Sequence, residues 1–237
     1  MRKSGLLVLL LTVILLAGCG LRTISGSGNV VTQEEAITAF DKVDISHAFH
    51  VDISQGDTFN VVVRVDDNLV KYLHVGKVGN TLQIGLVPNP PNIRSATLQA
   101  EVTMPELTGL ELSGASHVTT TGFDSAQALV VDASGASVLR GDIQAGDVRF
   151  GLDGSSEVIL TGSVENVTIK ASGSSDADLS ALSVVDANVE ADGKSQVTVN
   201  ASGKVDVNAS NGAKVTYLGN PTLGRMETSG AASIEQK

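Results

Sequence analysis

Residues 110–118 read LELSGASHV, and residues 130–138 read VVDASGASV. An apolar residue, a glycine four places on and a serine two places after the glycine return together. Glycines equivalent to Gly114 follow at Gly135, Gly154, Gly173, Gly193, Gly212 and Gly230, at intervals of 21, 19, 19, 20, 19 and 18 residues. The apolar partner recurs as Leu110, Val131, Phe150, Ile169, Val189 and Met226, while the unit VDVNASNGAKV around Gly212 is out of phase by one residue. Serine follows the glycine at Ser116, Ser137, Ser156, Ser175 and Ser195, and a second turn often follows within the unit, at Gly122, Gly141, Gly162 and Gly219.

A period near twenty, with short apolar-alternating segments between small-residue turns, is the signature of a solenoid. The leucine and asparagine frame of leucine-rich repeats is missing, and no unit contains a helical stretch of ten residues. The pattern predicts an all-β fold: a parallel β-helix with coils of about 20 residues, each strand pairing with its equivalent about 4.8 Å away in the next coil. Glycine recurs in step because every coil needs its corner in the same place, and glycine supplies the positive φ that other residues resist. In this arrangement Leu110 and Leu112 face inward and Ser116 stacks beneath Ser137. The serines admit two readings, a polar stripe for a ligand or a corner where small residues fit and a hydroxyl satisfies turn amides. The second is favoured, because serine is a standard turn residue.

Outward from the repeat toward the N-terminus, the pattern stays β-rich but is less regular. FDKVDISHAFHVDI, TFNVVVRV, NTLQIGLV and ATLQAEVTM alternate apolar and polar residues, with Gly56-Asp57 and Gly79-Asn80 as turns. DDNLVKYLHVG (residues 66–76) is the one candidate short helix, with Leu69, Val70 and Leu73 on one face, and PNPPN (88–92) is a loop. Residues 20–36 have few large apolar side chains and read as a tether, although ISGSGNVV echoes the repeat and can add a strand.

The chain opens MRKSGLLVLLLTVILLAGCG. Two basic residues precede an apolar run from Leu6 to Leu16, too short to span a bilayer comfortably but suited to a signal peptide. Leu16-Ala17-Gly18-Cys19 resembles the bacterial lipobox, which implies cleavage before Cys19 and diacylglycerol on its thiol. Two or more acyl chains make a stable membrane anchor. Gly20 stands where an Asp would signal inner-membrane retention, so the expected location is the outer membrane in a Gram-negative organism, and the outer face of the cell membrane in a Gram-positive one. Cys19 is the only cysteine, so no intrachain disulfide can form. Removal of residues 1–18 takes Arg2 and Lys3 and no acid, leaving 14 Lys and Arg against 26 Asp and Glu, a net charge of −12. An acidic chain without a basic cluster is a poor partner for nucleic acid.

Chemistry-bearing motifs are sparse. Asp176 and Asp178 share a strand face, which admits a carboxylate pair of the kind used by polysaccharide-cleaving β-helices, but the pair does not repeat and has no clustered cations. The histidines His47, His50, His74 and His117 are scattered: His47 and His50, three apart on one expected strand, face opposite sides. No zinc spacing, calcium nonapeptide or phosphate loop occurs, so no metal, cofactor or catalytic residue is assigned. With five Phe, two Tyr and no Trp, any recognition surface is broad and polar. The positions that break the repeat are the best candidates for it: Tyr72, His74, Asn89 and Asn92.

FDKVDISHAFHVDISQGDTFNVVVRVDDNLVKYLHVGKVGNTLQI, with its Phe-x-x-Val start, QGD, DDNL segment and G-x-L-x-I-like strand, resembles the opening of the GIN domain family of autotransporter-adhesin head domains. The SGAS-like coils resemble that family too. The resemblance implies a secreted or lipid-anchored bacterial β-helical protein, without catalytic residues to carry over. The chain therefore divides into a signal peptide (1–18), a lipid-anchored tether (19–38), a GIN-like β-helix domain (39–220) and a final coil or cap (221–237). The expected function is a non-catalytic binding, adhesion or scaffold module at the cell envelope, partnered by the membrane through Cys19 and by an envelope protein or glycan. The alternatives are a self-assembling envelope protein stacked through its β-helix ends and, third, a polysaccharide-acting enzyme.

Overall fold

A computed structural model describes residues 23–88 and 92–237; the signal peptide, Cys19 and Asn89 lie outside the described residues. The N-terminal part contains β1 (Thr23–Ser25), β2 (Val30–Glu34), β3 (Lys42–Ile45), β4 (His50–Gln55), β5 (Asn60–Asp66), β6 (Leu73–Val78), β7 (Thr81–Leu86), β8 (Asn92–Arg94) and β9 (Leu98–Met104). The repeat contains β10 (Gly109–Leu112), β11 (His117–Asp124), β12 (Leu129–Ala133), β13 (Val138–Ala145), β14 (Val148–Leu152) and β15 (Glu157–Ala171). It continues through β16 (Asp176–Ala191), β17 (Gln196–Ala201), β18 (Lys204–Ala209), β19 (Lys214–Leu218), β20 (Thr222–Thr228) and β21 (Ser233–Gln236).

The repeat is a parallel β-solenoid, as its period predicts. Each unit runs strand, corner, strand, so the coils build two facing sheets. The first stacks β3, β10, β12, β14, the C-terminal halves of β15 and β16, then β18 and β20; the second stacks β4, β11, β13, the N-terminal halves of β15 and β16, then β17, β19 and β21. Register keeps equivalent residues above one another. Leu110 pairs with Val131, which pairs with Phe150, and the column continues through Ile169, Val189 and Val207 to Met226. Leu110 and Leu112 are buried as expected, and the alternation along each strand places one face in the core and one in solvent.

The corner glycines have φ near +73°, the left-handed region, at Gly114, Gly135, Gly154, Gly173, Gly193 and Gly230. Room is as tight as the dihedral. A Cβ on Gly135 would stand 2.5 Å from the carbonyl oxygen of Gly114 one coil below. The unit that reads out of phase in sequence is in phase in space. Asn211 (φ 61°), not Gly212, occupies its corner, and asparagine is the side chain that best tolerates this conformation. In the coil that precedes the repeat, the equivalent corner is Ser46-His47-Ala48-Phe49, with His47 and Ala48 both at positive φ. His47 is therefore a corner residue and not, as the sequence reading has it, a strand neighbour of His50.

The five corner serines are all buried. Ser116, Ser137 and Ser175 each donate to the carbonyl three residues earlier, at 2.8–2.9 Å. Ser195 reaches Ala171 O at 3.4 Å, whereas Ser156 Oγ is buried with no partner. Three of the five serines therefore close their own turn, but by donating to carbonyls and not, as the favoured reading has it, by satisfying amides. This inequality has a measurable consequence. Ser137→Ala should cost about 1 kcal/mol, the net worth of a hydrogen bond, whereas Ser156→Ala should be neutral or slightly stabilising. Paired urea denaturation curves distinguish the two.

The less regular N-terminal part extends the same solenoid in an order that a linear reading does not reveal. β7 pairs parallel beneath β3, and β9 pairs parallel beneath β4, so a later segment forms the coil below an earlier one. Antiparallel strands then close this end: β6 on β7, and β5 on β9 with β2 outside it. Between β5 and β6 the expected short helix is a 3-10 helix, Asp67–Tyr72, whose Leu69 is wholly buried. Asp66, only 1 % exposed, holds the cap together. Its Oδ1 accepts from Gly28 N and its Oδ2 from Thr97 N, both at 2.7 Å. Asn68 Nδ2 donates to Ser25 O, and Ser27 Oγ donates to Asp67. Residues 23–34, within the stretch read as tether, thus contribute β1, paired with β8, and β2, the strand that ISGSGNVV suggested.

Candidate binding surface

Alternation leaves two outward sheet faces, and the stacking register turns each outward position into a column of side chains. On the first face Asp44, Glu111 and Asp132 stand in register on β3, β10 and β12. Three carboxylates at strand spacing repel one another, and the Glu111 carboxyl is pushed up, first by partial burial and then by Asp44 and Asp132. The column then changes sign. Gly151 leaves a gap, and Lys170 follows, paired to Glu190 at 3.0 Å. Around the gap the surface forms a notch of about 380 Å³ bounded by Glu111, Asp132, Asp153, Lys170 and Ser172.

The second face carries Arg64–Glu101, Arg140–Glu157 and Lys214–Glu235 ion pairs. It also stacks His50 on His117, with ring centroids 4.6 Å apart and planes within 7°. Each of these histidines lies three residues after its corner, His47 or Gly114, and that spacing is a signal the sequence contained. Asp176 and Asp178 do share this face. Asp176 is raised by burial and then by Glu157 and Asp178; Asp178 is lowered by hydrogen bonds from Ser180. Asp178 borders a surface concavity of about 490 Å³ with Thr198, Lys214 and Glu235 that Asp176 does not line, and Glu157 beside them is committed to Arg140. Among the described residues, no three His, Cys, Asp or Glu side chains converge to hold a metal.

Of the positions singled out from the sequence, Tyr72, His74 and Asn92 are described, and they are dispersed across the capped end. His74 is exposed on β6 and lines a shallow concavity of about 240 Å³ with Asp44, Ser46, Gln83 and Pro88. Tyr72 ends the 3-10 helix, half-buried against the core, with Lys71 Nζ 5.1 Å from its ring centroid. Asn92 is exposed at the start of β8, opposite Thr23. Neither Tyr72 nor Asn92 lines the concavity that holds His74. No helix among the described residues is long and apolar enough to cross a membrane.

Known proteins agree with this architecture. A structure of an adhesin-type protein from Bacteroides fragilis is similar, with a TM-score of 0.83 at 18% identity, covering 90% of this chain and all of that one. A structure described as a "putative lipid binding protein" from Parabacteroides distasonis has a TM-score of 0.73 at 20% identity, over 91% of this chain and all of the other. A "putative adhesin" from Parabacteroides merdae has a TM-score of 0.66 at 14% identity, over 91% and 99%. At these identities the likeness establishes the fold. No match is found among curated proteins. The model of the family described as "Putative auto-transporter adhesin, head GIN domain" matches residues 39–221, most of the length, and the chain belongs to that family.

Proposed function

We propose that this protein is a lipid-anchored binding and adhesion module of the bacterial cell envelope, held by acyl chains on Cys19 and acting without catalysis. One observation carries the reading: the N-terminal strands β1 and β2 are fastened into one end of the solenoid. Only Gly20, Leu21 and Arg22 separate Cys19 from β1, a reach of at most about 14 Å for extended chain. The capped end then sits at the membrane and the coils stand away from it. Two broad polar faces, with scattered ion pairs and surface concavities, suit multipoint contact with an envelope protein or a glycan better than they suit turnover of a small substrate. Family membership and the adhesin descriptions of similar structures support the surface role. In a Gram-negative organism the module belongs in the outer membrane, and in a Gram-positive one on the outer face of the cell membrane.

The anchor is tested by Cys19→Ser. Wild-type protein should incorporate labelled palmitate and fractionate with the envelope, whereas the variant should do neither. The binding role is tested by attachment of cells with and without the gene, with soluble residues 20–237 as competitor. Equal attachment in all three conditions would refute adhesion.

A further inference from the structure

The two ends of the solenoid are built differently. At the membrane-proximal end, antiparallel strands, the 3-10 helix with buried Leu69 and the Asp66 clamp close the core. At the other end, among the described residues, β20 pairs with β18 and β21 with β19, each along one edge, which leaves the opposite edge of each with backbone donors and acceptors outside any described strand pair. The core is open there too. Met226 and Ile234 are only partly buried, whereas Val207 and Val215 in the same columns one coil earlier are 1 % and 0 % exposed. Leu223 is 50 % exposed.

Natural edges are blunted by inward charges, prolines or bulges. This edge has one bulge, opposite Asp206, but no proline within β20 or β21 and no charge among the inward positions Met226, Thr228 and Ile234.

We propose that this end binds a second copy of the chain about a two-fold axis, β20 on β20 and β21 on β21, both antiparallel. The pairing is isologous and closes at two copies. Head-to-tail growth is disfavoured, because the capped end ends in antiparallel strands and does not present a matching pair of parallel edges. The pleat and the charges together select the register. Inward residues must face inward residues, so the axis passes through a residue, not between two. An axis at Arg225 opposes two arginines, and one at Glu227 opposes two glutamates. An axis at Met226 sets Arg225 of each copy against Glu227 of the other. Within one chain these two side chains are only loosely paired, at 3.9 Å, and each is 64 % exposed. Met226 lies four residues before the Gly230 corner and Ile234 four after it, so the same axis brings Ile234 onto Ile234 and sets Glu235 opposite Ser233, without like-charge contact.

This deepens the surface-module reading by naming a partner, and it rests on that reading only for the orientation. With the capped ends at the membrane, the joined pair carries its two anchors at opposite extremities and links two surfaces.

The test is sedimentation velocity on residues 20–237, which contain every described strand, from low to high micromolar concentration. The expected result is a reversible monomer–dimer equilibrium with no larger species. Arg225→Glu and Glu227→Arg should each weaken association about tenfold or more, a little over 1.4 kcal/mol. The double swap Arg225→Glu/Glu227→Arg should restore it to within about threefold of wild type, by the same complementarity. Circular dichroism melts confirm that each exposed variant is folded. A monomer at every concentration, open-ended growth, or single swaps without effect would each overturn the proposal. The result is independent of lipidation, because Cys19 is absent from the protein tested and the palmitate experiment reports on the anchor separately.

Discussion

Gly154→Val should destabilise the solenoid by about 2–5 kcal/mol. Left-handed backbone costs a residue with a Cβ about 1–2 kcal/mol, and overpacking a close contact adds about 1–3. Gly154 has φ +73°, and a Cβ there would lie 2.7 Å from the carbonyl oxygen of Gly135. That atom cannot step aside, because it accepts the hydrogen bond from Ser155 N at 2.7 Å that joins the two corners. Each coil gains stability from its neighbours, so damage in a central coil weakens two interfaces. Gly230→Val, in the last coil, has a neighbouring corner on one side only and should cost less. Asn211→Gly is the control. Its φ of 61° already suits glycine, so the change should stay within about 1 kcal/mol apart from the lost bond to Asp192. Urea titration with a constant slope checks all three. Equal midpoints for Gly154→Val and wild type would show that the corner column does not set the coil.

Asp66→Ala should cost about 3 kcal/mol and should loosen one end of the molecule first. Its carboxylate receives the amides of Gly28 and Thr97, and removing it leaves two donors facing a gap. Asp66→Asn keeps one acceptor oxygen but turns an amide group toward the second donor, so its loss should be intermediate. Hydrogen exchange supplies the discriminating measurement. Amides of residues 23–34 should lose protection ahead of those in β10–β19, whereas uniform loss would mean that Asp66 contributes only to global stability.

The repeat was legible because a solenoid writes its contacts at a fixed sequence interval. Leu110, Leu112, Gly114 and Ser116 could each be assigned an orientation from the return of the same pattern at residues 131–137. Asn211 hid because a glycine stands next to it; a search by residue type selects Gly212, while a search by permitted dihedral selects either. The N-terminal coils were harder for a different reason. β7 lies beneath β3 and β9 beneath β4 although both come later in the chain, and no periodicity encodes an interleaved order. The clamp at Asp66 was equally hidden, since nothing in the pair Asp66-Asp67 before a short helix has a spacing that reveals the two amides Asp66 meets. The His50–His117 stack was within reach once the corners were aligned. His74 lies on β6, outside the stacked columns, and its neighbours Asp44 and Ser46 come from a segment that sequence distance separates from it by some thirty residues.

The repeated corner also makes the molecule a ruler. Each coil advances the far end by about 4.8 Å, one strand spacing, and leaves the chemistry of both extremities unchanged. Loss or gain of one unit by unequal recombination therefore alters the distance between the two ends, while the capped end and the terminal edge keep their form. Natural variation in coil number would then set the length of the molecule in increments of one strand spacing.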